Sequence, residues 1–131
     1  MSSHLPLAVA VVIEHERRFL LIRRAKNPFA GWWSPVTGRV EPGESLTEAA
    51  VREAQEEMGL VVEMDTPFFV CLTADNTHEL HFLRARWIGG TPTPDPQEVA
   101  EWGWFTLDEA CALKRFFEAD QIAFRKLAAC F

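Results

Sequence analysis

The run Ala8-Val9-Ala10-Val11-Val12-Ile13 is apolar at every position and rich in β-branched residues. It predicts a buried strand over residues 7–13. The polar stretch His15-Glu16-Arg17-Arg18 then reads as a hairpin turn, with residues 19–23 as the returning strand. Asn27-Pro28 and Ala30-Gly31 mark a loop that carries on through Trp32, Trp33 and Pro35. Residues 36–40 follow, with Gly38 inside, and Glu41-Pro42-Gly43-Glu44 forms a turn.

Helical periodicity begins at Leu46. Ser45 is a favourable N-cap, and Glu48 three residues later completes a capping box. The helix is predicted over residues 46–58, ended by Gly59 in a left-handed conformation. Leu46, Ala49, Ala50 and Ala54 give it a narrow face of mostly small residues that can lie close to a sheet. Residues 68–73 and 79–88 read as two further strands. Gly89-Gly90 with Pro92, Pro94 and Pro96 makes a rigid connection to a last strand at residues 100–105. Thr106 with Glu109 is a second capping box. It opens a helical C-terminus that breaks near Phe117 and resumes to about Ala129. Hairpins and long connections argue against regular βαβ winding. The expected class is α+β, or α/β with a mixed sheet, in one domain over residues 1–131.

With 131 residues and 48% apolar content, the chain can bury one core. Its net charge of -6 gives no overall field attracting a nucleic-acid polymer. A polyanionic substrate would need a cation between itself and the protein. Cys71, Cys111 and Cys130 are odd in number and form no CxxC pair, which fits a reducing, cytoplasmic setting. Residues 5–13 are too short for a membrane span and lack a preceding basic region, so neither a signal peptide nor a membrane partner is expected.

The chemistry concentrates in the helix over residues 46–58. Glu53 lies three residues before Glu56 and four before Glu57, so the three carboxylates share one side. Like charges at that spacing destabilise a helix by a few tenths of a kcal/mol per pair, and a hard cation reverses the sign. For three glutamates taken alone, a solvated acidic face is the better account. Arg52 stands four residues from both Glu48 and Glu56, within reach of a carboxylate.

The pattern extends beyond the glutamates. Gly38, five residues, Glu44, seven residues, then Arg52-Glu53-Ala54-Gln55-Glu56-Glu57-Met58-Gly59-Leu60 resembles the Nudix box at its fixed positions. Leu20-Leu21-Ile22-Arg23-Arg24 looks like the family's first hairpin. Trp33 and Pro35 before the box, and Trp104-Phe105 before Leu107-Asp108-Glu109, also look typical. The resemblance implies an α/β/α sandwich in which a loop-helix-loop binds divalent metal, Mg²⁺ or Mn²⁺, beside a pyrophosphate. Glu56 and Glu57 would be the main ligands, with Glu53 a further ligand or water-activating base. The Gly38 carbonyl would join the metal shell, and Glu44 would serve the metal directly or from behind. Arg52 would orient a glutamate.

Many members carry another glutamate before the last strand. Glu98 and Glu101 are the candidates, with Glu98 preferred because it follows the proline-rich segment. Strand alternation turns one of Arg23 and Arg24 toward the cleft, where it could fork a phosphate. Trp33 is the favoured aromatic for stacking on a base, with Phe29 and Trp32 nearby. His78 and His81 point to opposite faces of a strand and read as structural, since their spacing does not fit the HExxH helix. Pro35-Val36-Thr37 departs from the family's frequent Pro-Gly-Gly. The chain also has no tyrosine, against the ADP-ribose and dinucleoside-polyphosphate patterns.

The expected activity is metal-dependent hydrolysis of a phosphoanhydride in a nucleoside diphosphate derivative. A nucleoside triphosphate split into monophosphate and pyrophosphate is favoured. Other nucleoside diphosphate substrates, or a module that binds a nucleotide without cleaving it, are the alternatives. The apolar C-terminal helix, with Phe116, Phe117, Ile122, Phe124, Leu127 and Phe131, is expected to pack on its own domain. Pairing with a second copy in a homodimer is the other course.

Overall fold

The computed structural model describes residues 5–129. Cys130 and Phe131 of the readings above lie outside the described residues. β1 (Leu7–His15) and β2 (Arg18–Arg24) form the expected hairpin around Glu16 and Arg17, both left-handed at φ 50° and 62°. Such a two-residue turn matches the twist of its strands. Beyond their closed end the two strands splay. The gap is filled by β3 (Trp33–Ser34), which pairs with β2, and β4 (Val36–Arg39), which pairs with β1. Pro35, which has no N–H to donate, sits at the break between them. β3 falls where the sequence predicted loop, because two residues are too few to show a period of two.

The remaining strands are β5 (Val61–Leu72), β6 (Glu79–Gly89) and β7 (Val99–Phe105). β6 runs parallel to β1, while β5 is antiparallel to β6 and β7 is antiparallel to β2. The sheet is therefore mixed. β5 begins seven residues earlier than predicted. Glu63, Asp65, Thr66 and Pro67 hide it from a hydrophobicity pattern. As an outer strand with register shifts around Pro67, it tolerates a proline that a central strand would not.

α1 (Leu46–Met58) covers one face of the sheet, and α2 (Leu107–Cys111) with α3 (Glu118–Ala128) covers the other. This is the α/β/α sandwich. β1 shows why its sequence is apolar at every position. Val9, Val11 and Ile13 pack with Ala49, Ala50, Ala54 and Met58 of α1. Ala10 and Val12 pack with Ala123, Phe124 and Leu127 of α3. A strand buried on both faces has no polar alternation. The C-terminal helix thus packs on its own domain, as expected. Among the described residues, no helix is long and apolar enough to cross a membrane.

Both capping boxes form. Ser45 Oγ accepts from Glu48 N at 3.1 Å while Glu48 Oε1 accepts from Ser45 N at 2.9 Å, and Thr106 and Glu109 repeat the exchange. Gly59, at φ 68°, ends α1, with Gly59 N donating to Gln55 O and Leu60 N to Ala54 O. The cap closes a loop-helix-loop whose start, β4, lies against β1 and whose end leads into β5.

Candidate active site

The carboxylates of α1 divide into two groups. Glu53 and Glu57 turn inward, and Glu57 is only 6% exposed. Burial, then the hydrogen bond and charge of Glu53, then the charge of Glu98, push the Glu57 carboxyl far above the ordinary carboxylate range, while Arg24 pulls it back. Glu56, expected among the main ligands, is turned outward with its side chain 58% exposed, and its Oε2 accepts from Arg52 Nη1 at 3.2 Å. The three glutamates share a side of the helix, but the sheet covers only the Glu53–Glu57 edge of it.

Gly38 faces that edge. A Cβ built there would come to 2.5 Å from Glu53 Cγ and closer still to its carboxyl group. The glycine is required because the Glu53 side chain lies directly across its backbone.

Arg52 links the groups. It donates from Nε and Nη2 to the two oxygens of Glu44 at 2.8 and 2.9 Å, from Nη1 to Glu53 Oε1 at 2.8 Å, and from Nη2 to the Arg39 carbonyl at 2.9 Å. This fork holds Glu44 well below the ordinary carboxylate range, at about 2, and keeps the guanidinium charged. Glu44 has both oxygens on Arg52 and a further hydrogen bond from Glu41 N at 3.0 Å. Its two oxygens are thus engaged by Arg52 and by the Glu41 amide.

A cation fits this donor set. Two carboxylates are gathered in a poorly hydrated place, and with Arg52 on Glu53 and Arg24 acting on Glu57 one of them is still driven to keep its proton, so the pair has room for a further positive charge. Among the described residues no three acidic, histidine or cysteine side chains converge as a closed metal cage. Mg²⁺ does not ask for one, since it commonly takes one or two carboxylates and completes its shell with water and phosphate.

A cleft of about 650 Å³ opens beside the cluster. Its lining includes Arg24, Gly38 and Arg39 together with Phe29, Phe117 and Asp120. That size suits a small-molecule ligand. Arg24 is the inward member of its pair, held by Nε donating to the Pro28 carbonyl at 3.2 Å. Arg23 points away and meets Glu101 across β2 and β7, Nε to Oε1 at 3.4 Å. The same contact takes Glu101 away from the cleft. Glu98 lies on the site side, where its charge is felt at Glu57.

The aromatic expectation needs correcting. Trp33 does not line the cleft. It packs edge-on to Phe105 at 5.1 Å and belongs to the core under α3. Phe29 and Phe117 line the cleft instead, edge to face at 5.1 Å. Phe29 has φ 66°, a rare conformation for a bulky residue, in a loop closed by Trp32 N donating to its carbonyl at 3.1 Å.

His81 pairs with Glu79 at 2.7 Å and His78 with Thr77 Oγ1 at 2.7 Å, so both have local partners, although His78 also reaches the cleft rim. Sequence reasoning did not single out Arg39, Asp120 or Lys26. Asp120 is 4% exposed, and burial lifts its carboxyl to about 8. The signal for Arg39 was present, as the residue after the box glycine. Asp120 gave none, because an acid in the first turn of a helix is ordinary.

A family model described as NUDIX domain matches residues 4–127. Over 80 residues the chain is 38% identical to "ADP-ribose pyrophosphatase" of Methanocaldococcus jannaschii, covering 61% of this chain and 47% of that one. Over 111 residues it is 34% identical to "Isopentenyl-diphosphate Delta-isomerase" of Halorhodospira halophila, covering 76% and 63%. The chain spans less than two thirds of the length of these curated relatives. Among solved structures, the MutT NUDIX hydrolase from Burkholderia pseudomallei superposes with TM-score 0.79 at 27% identity, over 95% of this chain and 99% of that one.

Proposed function

The chain belongs to the NUDIX domain family, and on that premise we propose that it hydrolyses a phosphoanhydride bond of a nucleoside diphosphate derivative with Mg²⁺ or Mn²⁺. The observation that carries this reading is the Glu53–Glu57 pair, folded against Gly38, a residue that with Arg24 and Arg39 lines a nucleotide-sized cleft. Acid for a cation and base for phosphate oxygens stand side by side.

Glu53, Glu56 and Glu57, with the Gly38 carbonyl, would hold the cation. Glu56 would have to leave Arg52 to take part. The bound cation supplies neutralisation of the phosphate oxygens and favours ionisation of water. Arg52 and Glu44 fix Glu53 and the start of α1. Arg24 and Arg39 bind phosphate oxygens and set the phosphorus in place, while Arg23 stays with Glu101. Phe29 and Phe117 flank the base, and the undissociated carboxyl of Asp120 offers it a hydrogen bond. Water adds to phosphorus and the anhydride P–O bond breaks. The proton passes to a carboxylate, with Glu53 and Glu98 the candidates.

The favoured substrate is a nucleoside triphosphate, cleaved to monophosphate and pyrophosphate. The likeness to a MutT NUDIX hydrolase over 95% of this chain supports it, as does the lack of tyrosine. ADP-ribose is the competing substrate, favoured by the 38% identical relative. The retained glutamates favour catalysis over binding alone.

The test is product analysis on a panel of nucleoside triphosphates, ADP-ribose and dinucleoside polyphosphates with Mg²⁺, for wild type and Glu57→Gln. Turnover of at least one substrate, lowered by about a hundredfold or more in the variant, is expected from loss of electrostatic stabilisation at the phosphate. No turnover anywhere would sink the enzyme reading. Equal rates in both proteins would sink the role of Glu57.

A further inference from the structure

The backbone around Glu98 is tied down on two sides. Thr93 N donates to Met58 O at 2.7 Å and Asp95 N to Glu57 O at 2.8 Å, which clamps the proline-rich segment to the end of α1. Ala25 N donates to Glu98 O at 3.0 Å, which fastens the same segment to the end of β2. Glu98 N and Val99 N both donate to Asp95 O, at 3.0 and 2.8 Å, closing the turn. The Glu98 main chain therefore has little freedom, and what can move is its side chain.

That side chain is held by one strong partner. Lys26 Nζ donates to Glu98 Oε1 at 2.9 Å, and both groups are solvent-accessible. Lys26 follows by two residues Arg24, which lines the cleft. It is exposed and packs in neither core. Its ammonium is raised by the Glu98 partner, with Asp95 adding to the effect. On the other side, Glu98 is near enough to the Glu53–Glu57 cluster for its charge to be felt there. A cation in the cluster would compete with Lys26 for the same carboxylate.

We infer that Lys26 is a positioning residue that parks Glu98 away from the carboxylate cluster until a divalent cation draws it across. The inference rests on the metal reading above. Glu98 leaves Lys26 by side-chain rotation alone, since its backbone is fixed. The Lys26–Glu98 pair is then a cost that cation binding must meet, and its strength sets how readily Glu98 joins the site.

The experiment is titration with Mn²⁺ alone, following free Mn²⁺ by its paramagnetic resonance signal. It compares wild type, Lys26→Met, Lys26→Arg, Glu98→Gln, the Lys26→Met/Glu98→Gln pair, and Glu57→Gln. Lys26→Met should bind Mn²⁺ about two- to fivefold tighter, the worth of one exposed ion pair. Lys26→Arg should restore wild-type affinity, and in the Glu98→Gln background Lys26→Met should have no effect. If Lys26→Met tightens binding equally with Gln at position 98, Lys26 is only a nearby positive charge and the inference is overturned. Unchanged or weaker binding in Lys26→Met also overturns it. Glu57→Gln separates the two levels. If it leaves Mn²⁺ affinity unchanged, the cluster itself is misread and the inference falls with it. If it abolishes binding, any failure of the Lys26 cycle belongs to the inference alone.

Discussion

Replacing Asp120 with asparagine is expected to stabilise the protein increasingly as pH rises from 4 to 8 and to do nothing below pH 4. Asp120 lies in the first turn of α3, is 4% exposed, and has no hydrogen-bonded or ionic partner among the described residues. Burial raises its carboxyl from 3.8 to about 8. In the unfolded chain it ionises near 3.8, whereas in the folded protein it keeps its proton to about pH 8. Between those values the folded state binds one more proton than the unfolded state, so stability falls as pH rises. Below the window both states are protonated, and above it both are ionised with the full penalty in place. The interval is about four pKa units at about 1.4 kcal/mol each, which sets a ceiling near 6 kcal/mol. Water entering from the adjoining cleft lowers the cost of the ionised form, so about 2–4 kcal/mol at pH 8 is expected. Asparagine has the same shape and no charge to gain. The assay is urea unfolding of both proteins at pH 4, 6, 8 and 9. Every other titrating group is present in both proteins, and the Cys71 thiol, which burial and the Asp120 charge raise, titrates above the window, so the difference within it reports Asp120. A difference that stays flat from pH 4 to 9, or grows toward acid, refutes the argument.

Two further outcomes follow from the acidic cluster. Adding Mn²⁺ at about a hundred times its dissociation constant should raise the unfolding free energy by about 2.7 kcal/mol, read as an upward shift of Tm, and Glu57→Gln should lose most of that gain. Gly38→Ala should keep the fold, because the atoms its Cβ would meet belong to the flexible Glu53 side chain. Its kcat should nevertheless fall about a hundredfold, the cost of displacing a catalytic group by about 1 Å, and unchanged kcat would remove the claim that Glu53 must lie across this glycine.

Much of this protein is written locally. Period and capping fix where α1 begins and ends, because Ser45, Glu48 and Gly59 act on groups within four residues of themselves. The apolar run of β1 reports a strand buried on both sides before any partner is known. The spacing from Gly38 to Leu60 named the loop-helix-loop, and the Glu53–Glu57 spacing put two carboxylates on one edge.

What the sequence left open depends on contacts between distant segments. Whether Glu56 or Glu57 turns inward is decided by the sheet that lies under α1. Arg24 faces the cleft and Arg23 does not, because alternation along β2 puts the two on opposite faces and the pairing with β7 sets Arg23 against Glu101. Trp33 is a packing residue because β3 inserts between splayed strands and sets its ring on Phe105. Asp120 becomes a buried acid only when α3 closes over the opposite face. Lys26 meets Glu98 across 72 residues of chain. Helix periods and caps are short-range consequences of backbone geometry and are legible in order of sequence. Burial and charge pairing are sums over neighbours that only the folded arrangement of β1, β6 and the two helical layers brings together.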